Sequence, residues 1–392
     1  MVELLQSLGF SVQAVWCPDT ETSLRVAAER EVPFVANQPD QVILRREVDM
    51  LLIGGRPLEH AHLCLKSLGI GKHVVCEVPC ALSADDGQKL AQASHYYPQI
   101  LSILTFGLRH LGVVKEMRRA LKEGRIGRPV AAELRCYSPP LFNRTAFDWS
   151  WEAATGGGVL HQLGAQAVDL LTFLFDAKVE RVQGTLLSQN PRPMRQSTVT
   201  SGGGEKQSLV EEHDDDLLVY RRCTAEAFAS FTCYLGERQQ PPVCATVVLN
   251  SLVAQKFALH LNVFGSAGAL ALQDNKLYLQ SSRHEDNLLL HDGSAEAAAI
   301  LDRRSAIVEG LGDDGRTPLF YMAGTLRMLE ILGKLALEQQ SSGQSPVIQN
   351  SWRRLSSELE DAATFDDVGH VSQVIDAVRQ SSIHGISVSI DS

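Results

Sequence analysis

The sequence predicts a two-part chain: an α/β half built on a parallel sheet, then an α+β half built on an open antiparallel sheet. Three observations carry this. Residues 48–55 and 73–76 are short apolar runs separated by helical periodicity over 58–70 that stops at Gly69 and Gly71, which makes one β-α-β crossover and hence a parallel pair. Beyond residue 125 the texture changes to strand-like runs divided by turns, the pattern of antiparallel pairing. A chain of 392 residues with 44% hydrophobic content is long enough to bury two cores.

Taken in order, residues 2–8 read as the last turns of a helix stopped by Gly9, and residues 10–16 as a strand. A helix placed there calls for a strand before it. In a Rossmann-type fold that strand would lead into a G-x-G-x-x-G turn, whose glycines let the backbone approach a pyrophosphate, and no such motif occurs before residue 50. The first strand and glycine loop are therefore expected upstream of Met1, in about 15 to 25 further residues. Without them the parallel sheet would keep an unfilled slot with unpaired backbone groups, and dinucleotide binding would be weak or absent.

Residues 22–30 form the next helix candidate. Residues 83–97 form another, with Ser83 as cap and Asp85 and Asp86 in the first turn, and 100–106 a strand. Strands are expected over 130–137, 182–187, 217–220, 225–234, 245–252, 257–264 and 269–272. One long helix over 153–175 interrupts them, and helices over 319–338 and 365–380 are expected to pack back on the first half. Residues 191–207 read as a polar loop and Glu211 to Asp216 as solvated surface.

The formal charge of −10 argues against nucleic acid and anionic membrane as partners, since both need clustered Lys and Arg. Eight cysteines are scattered without C-x-x-C spacing and read as reduced core residues, with no metal site expected. No apolar stretch is long enough to span a bilayer, and residues 1–6 lack the form of a signal peptide. The default compartment is the cytoplasm; secretion is the alternative if an upstream segment directs it.

Four stretches then carry a resemblance. Gly71-Lys-His-Val-Val-Cys-Glu-Val-Pro79, Trp151 followed by Gly156-Gly-Gly-Val-Leu160 and Asp169, Val263-Phe-Gly-Ser-Ala-Gly-Ala-Leu270, and Ala363-Thr-Phe-Asp-Asp367 resemble the marks of the Gfo/Idh/MocA oxidoreductases. Ser94-His-Tyr-Tyr-Pro98 and Asp169-Leu-Leu-Thr-Phe-Leu174 are similar to its animal glucose-fructose oxidoreductase domain-containing members. The resemblance implies a Rossmann domain over 1–108 binding NAD or NADP, and an α+β domain over 109–392 whose sheet forms a homo-oligomer. It also implies hydride transfer between nicotinamide and a sugar-like or polyol substrate.

That chemistry moves a hydroxyl proton, for which the family places a lysine after the glutamate of its E-K-P motif and an acid, a histidine and an acid on one helical face. Here those positions hold Val78, Gln162, Gln166 and Asp169, so a hydrocarbon and two amides replace three titratable groups. His161 is the candidate substitute base, with a structural or surface histidine as the alternative because it lies about 100° around the helix from Gln162; Arg109 either orients substrate or ties the two halves together. The resemblance puts Asp19, Arg56, Pro57, His60, Glu77, Val78 and Pro79 on the cofactor side, with a turn-forming role as the alternative for Asp19. It puts Trp151, Gly157, Gln162 and Gln166 in the substrate pocket, beside the catalytic candidates His161, Asp169 and Arg109. Two functions stay open: an NAD(P)-dependent oxidoreductase with reassigned proton groups, and a catalytically silent module for binding or assembly.

Overall fold

The structure is a computed structural model that describes residues 1–138, 149–188, 223–236, 241–252, 257–281, 288–302, 319–341 and 359–390. The expected strand at 217–220, the loop at 191–207 and the acidic run at 211–216 lie outside the described residues.

The first half contains α1 (Val2–Ser7), α2 (Thr20–Glu29), α3 (Pro39–Ile43), β1 (Met50–Ile53), α4 (Pro57–Gly69), β2 (His73–Cys76), α5 (Ala84–Tyr96) and β3 (Ser102–Leu104). The strands pair in the order β1-β2-β3, all parallel. All four residues of β2 are buried, as a central parallel strand covered on both faces requires. Ser83 caps α5 by accepting from the Asp86 amide at 3.1 Å.

The strand expected over 10–16 does not form as a ladder. Among the described residues this segment makes one isolated parallel bridge, Val15 to Val35, because a strand exists only against a partner and the edge of β1 is out of reach. A cavity of about 610 Å³ lies between them, lined by residues 9–16 on one side and 47–54 on the other, with Leu329 and Leu332 among its walls.

After a 3₁₀ turn at Gly107–His110 come α6 (Gly112–Lys122), β4 (Pro129–Tyr137), α7 (Ala165–Phe175), β5 (Val179–Ser188), β6 (Glu226–Leu235), β7 (Val243–Asn250), β8 (Ala258–Gly265), β9 (Gly268–Gln273), β10 (Lys276–Ser281), β11 (Leu288–Asp292), α8 (Ser294–Asp302), α9 (Leu319–Ser341), α10 (Phe365–His384) and β12 (Val388–Ser389). The sheet order is β11-β10-β9-β8-β4-β7-β6-β5-β12. It is mixed rather than wholly antiparallel, since β4 and β7 run parallel, the return from one to the other passing through α7 and the β5–β6 pair. Alternation is clear: Leu259, Leu261 and Val263 of β8 are buried while His260, Asn262 and Phe264 are not. The β9–β10 hairpin, absent from the sequence reading, turns through Asp274 and Asn275 at positive φ of 45° and 69°.

The long helix expected over 153–175 is broken. Gly156 and Gly158 have φ of 93° and 91°, which helical geometry excludes, and a π turn at Leu160–Gly164 precedes α7.

The C-terminal helices do pack on the first half. A Cβ on Gly369 of α10 would lie 3.3 Å from the Gly87 carbonyl of α5, so these helices touch backbone to backbone. The Leu104 amide of β3 donates to the Ala363 carbonyl at 3.0 Å, carrying the residues before α10 onto the edge of the parallel sheet. A Cβ on Gly324 of α9 would sit 2.1 Å from the Gly107 carbonyl. One buried apolar cluster runs continuously from Leu4 to Ile390.

Candidate functional site

The glycine turn at Gly156–Gly158 is the hinge of the site, because it brings both halves within contact. A Cβ on Gly156 would lie 2.7 Å from Pro57, one on Gly157 2.3 Å from the Ser150 carbonyl, and one on Gly158 2.4 Å from Glu226 Oε2. Pro57 is the first residue of α4 and Arg56 its exposed cap. On the same side the Val78–Pro79 peptide is cis, and Val78 packs as a half-buried apolar residue against the core. Glu77 turns back over the glycines after β1, 3.4 Å from the Gly55 amide.

His161 is 2% exposed and faces Arg379 of α10, whose two Nη atoms lie 3.1 Å from Nε2 and 3.2 Å from Nδ1. Both contacts cannot be hydrogen bonds to a neutral ring, so the guanidinium lies along the imidazole rather than pointing at one nitrogen. Burial and then the Arg379 charge push the His161 pKa down to about 3, although backbone contacts at Gly157 and Leu82 act the other way. Arg379 Nε also donates to Glu226 Oε1 at 3.1 Å.

Asp169 is fully buried and takes both Arg109 Nε (2.9 Å) and Nη2 (2.5 Å); the same Nη2 reaches Asp367 Oδ1 at 2.9 Å. Burial pushes Asp169 up to about 6 against the pull of Arg109, whereas Arg109 itself is raised, its two carboxylates outweighing the burial that lowers it. The two shifts point opposite ways for the same pair. With two charge-assisted contacts onto one guanidinium, the ionised pair is the resting state.

The remaining candidates separate. Asp19 caps α2, accepting from the Glu21 amide and the Thr22 hydroxyl, which lowers its pKa and fits the turn-forming alternative. His60 is buried with Nδ1 2.9 Å from the Pro79 carbonyl. Trp151 is buried against Cys223, Ala225 and Ala227 at the start of β6, its carbonyl accepting from the Thr224 and Ala225 amides. Gln162 and Gln166 are half-buried, and Gln166 Oε1 has no partner among the described residues. Sequence reasoning did not find Glu226 or Arg379, which carry no local signal. Asp367 had one, since Thr364-Phe-Asp-Asp367 is a capping box and the structure forms it.

Residues 3–104 match the family described as oxidoreductase family, NAD-binding Rossmann fold, and residues 114–271 the GFO/IDH/MocA C-terminal domain. The chain is 31% identical over 386 residues to human glucose-fructose oxidoreductase domain-containing protein 2, covering 98% of this chain and 88% of that protein. The chain belongs to the Gfo/Idh/MocA oxidoreductase family. Its fold matches levoglucosan dehydrogenase in complex with NADH and levoglucosan (TM-score 0.72, 13% identity, 100% of this chain and 95% of that one). It also matches a super-repressor mutant of Gal80p from Saccharomyces cerevisiae (TM-score 0.67, 14% identity, 99% and 92%). Among the described residues no helix is long and apolar enough to cross a membrane.

A family that binds NAD raises the question of fit. Asp19 spends its oxygens on α2 and Glu77 covers the glycines after β1, so both carboxylates are engaged with this chain's own groups.

Proposed function

We propose that this chain is a family member that binds a sugar-like or polyol ligand at the glycine turn without oxidising it. The observation that carries this is the state of the nearest imidazole: His161 is buried, laid along Arg379 and held neutral far below physiological pH, so it does not cycle a proton. Val78 and the amides of Gln162 and Gln166 take no proton either. Arg109 and Asp169, engaged with one another, act as a tie between the turn after β3 and α7 rather than as groups touching substrate. The unpartnered Gln166 Oε1 supports ligand binding, because a buried acceptor without a donor is costly and a ligand hydroxyl would satisfy it. The outward side chains of the large sheet, including exposed Val130 and Phe264, fit a face that pairs with a second copy.

Family membership favours a second reading, an NAD- or NADP-dependent dehydrogenase of a sugar-like alcohol. Two measurements separate them. Titrating NADH and NADPH fluorescence against the purified chain is expected to give no micromolar binding, and a panel of sugars and polyols no NAD(P) reduction. Turnover abolished by His161→Ala would overturn the silent reading.

A further inference from the structure

Three of the eight cysteines meet in space. Cys64 lies on α4, Cys76 ends β2 and Cys80 follows the Val78–Pro79 turn, and their sulfurs lie within 4.8 Å of one another. All three are fully buried, and the Cys64 and Cys80 sulfurs are 3.8 Å apart. Four ligands around zinc at a Zn–S distance of about 2.3 Å place neighbouring sulfurs roughly 3.8 Å apart. The β-α-β crossover thus assembles what C-x-x-C spacing assembles elsewhere.

His60 stands one helical turn before Cys64 on α4, with Nδ1 2.9 Å from the Pro79 carbonyl. Among the described residues its ring is outside the group of atoms at ligand distance, which the three sulfurs alone form.

We propose that Cys64, Cys76 and Cys80 form a buried three-thiolate site for a soft, closed-shell cation, Zn²⁺ or Cu⁺. The Cys76 thiol donates to the Glu77 carbonyl at 3.3 Å and gives up that contact with its proton on binding. Loading releases the thiol protons, and with no side chain of the cluster open to solvent it accompanies folding. The ion would pin α4 to the end of β2.

The test uses the full chain, made in cells supplied with zinc or copper and purified without oxygen. Elemental analysis is expected to give about one zinc or copper per chain, which also decides between the two. Refolding with Co²⁺ in place of either is expected to produce thiolate-to-metal charge-transfer absorption. Cys64→Ser and Cys80→Ser should each cut loading at least tenfold, and Cys136→Ser, at a buried thiol outside the cluster, should leave it unchanged. Wild-type protein carrying less than about a tenth of an equivalent, with no cobalt absorption, would overturn the site whether or not the variants fold. Loading indifferent to Cys64→Ser and Cys80→Ser would overturn it as well.

Discussion

Replacing Asp169 by alanine tests the buried tie between Arg109, Asp169 and Asp367. The Asp169 side chain is 1% exposed and that of Arg109 7%, while Asp367 is 32% exposed and so the weaker partner. At 2.9 Å and an effective dielectric near 20, opposite charges attract by about 6 kcal/mol, most of it offset by the cost of drying both groups. Removing one partner leaves the other charge buried and poorly compensated, at a cost of about 3–5 kcal/mol. Asp169→Ala should therefore lower the urea midpoint strongly, whereas Arg109→Met with Asp169→Leu should recover most of the loss. The assay is a double-mutant cycle in urea at neutral pH, with the Phe173 ring, on which Arg109 stacks at 5.1 Å, left intact. A loss below about 1 kcal/mol for Asp169→Ala, or single losses that simply add, would refute the reasoning.

Acid should unfold the protein from the histidine side. His110 and His161 are held down to about 3 and His370 to about 4, each mainly by burial. The unfolded chain binds those protons first, so stability is full above about 6.5 and falls toward 4, by about 2 kcal/mol per histidine between pH 7 and 5. A urea midpoint flat across that window would contradict this. Gly324→Ala should pry α9 from the turn at Gly107, since the new Cβ would meet the Gly107 carbonyl at 2.1 Å; a loss of more than about 1 kcal/mol and faster proteolysis near residue 107 are expected. Thr364→Ala removes the capping box of α10 and should cost about 0.5–2 kcal/mol, read from the same midpoint.

Much of the architecture was legible because periodicity and caps are local signals. The crossover through β1, α4 and β2, the Ser83 cap and the strand-like runs of β4 to β9 all follow from runs of five to fifteen residues. The run over 10–16 had the composition of a strand yet forms only one bridge, since pairing is decided by a neighbour and not by composition. The helix over 153–175 failed at Gly156 and Gly158, whose positive φ the sequence hinted at by the triglycine alone. The site was legible only where a motif marked it. Val78, Gln162 and Gln166 could be read as replacements, but the laying of Arg379 along His161 joins residues 218 apart, and no window of sequence contains both. The cysteine cluster escapes a sequence reading for the same reason, since its spacing lies across the crossover and not along the chain.

The placement of α10 has a consequence for how the protein is made. The described strands of the parallel sheet end at residue 104, yet their edge waits for Ala363 and Thr364, and Arg109 for its second carboxylate, Asp367, 258 residues further on. At about 5–20 residues per second, a ribosome leaves that early half without its cover for tens of seconds. Nascent chains stalled before residue 363 should accordingly depend on chaperones, and shortening the protein from its far end should cripple the part that was synthesised first.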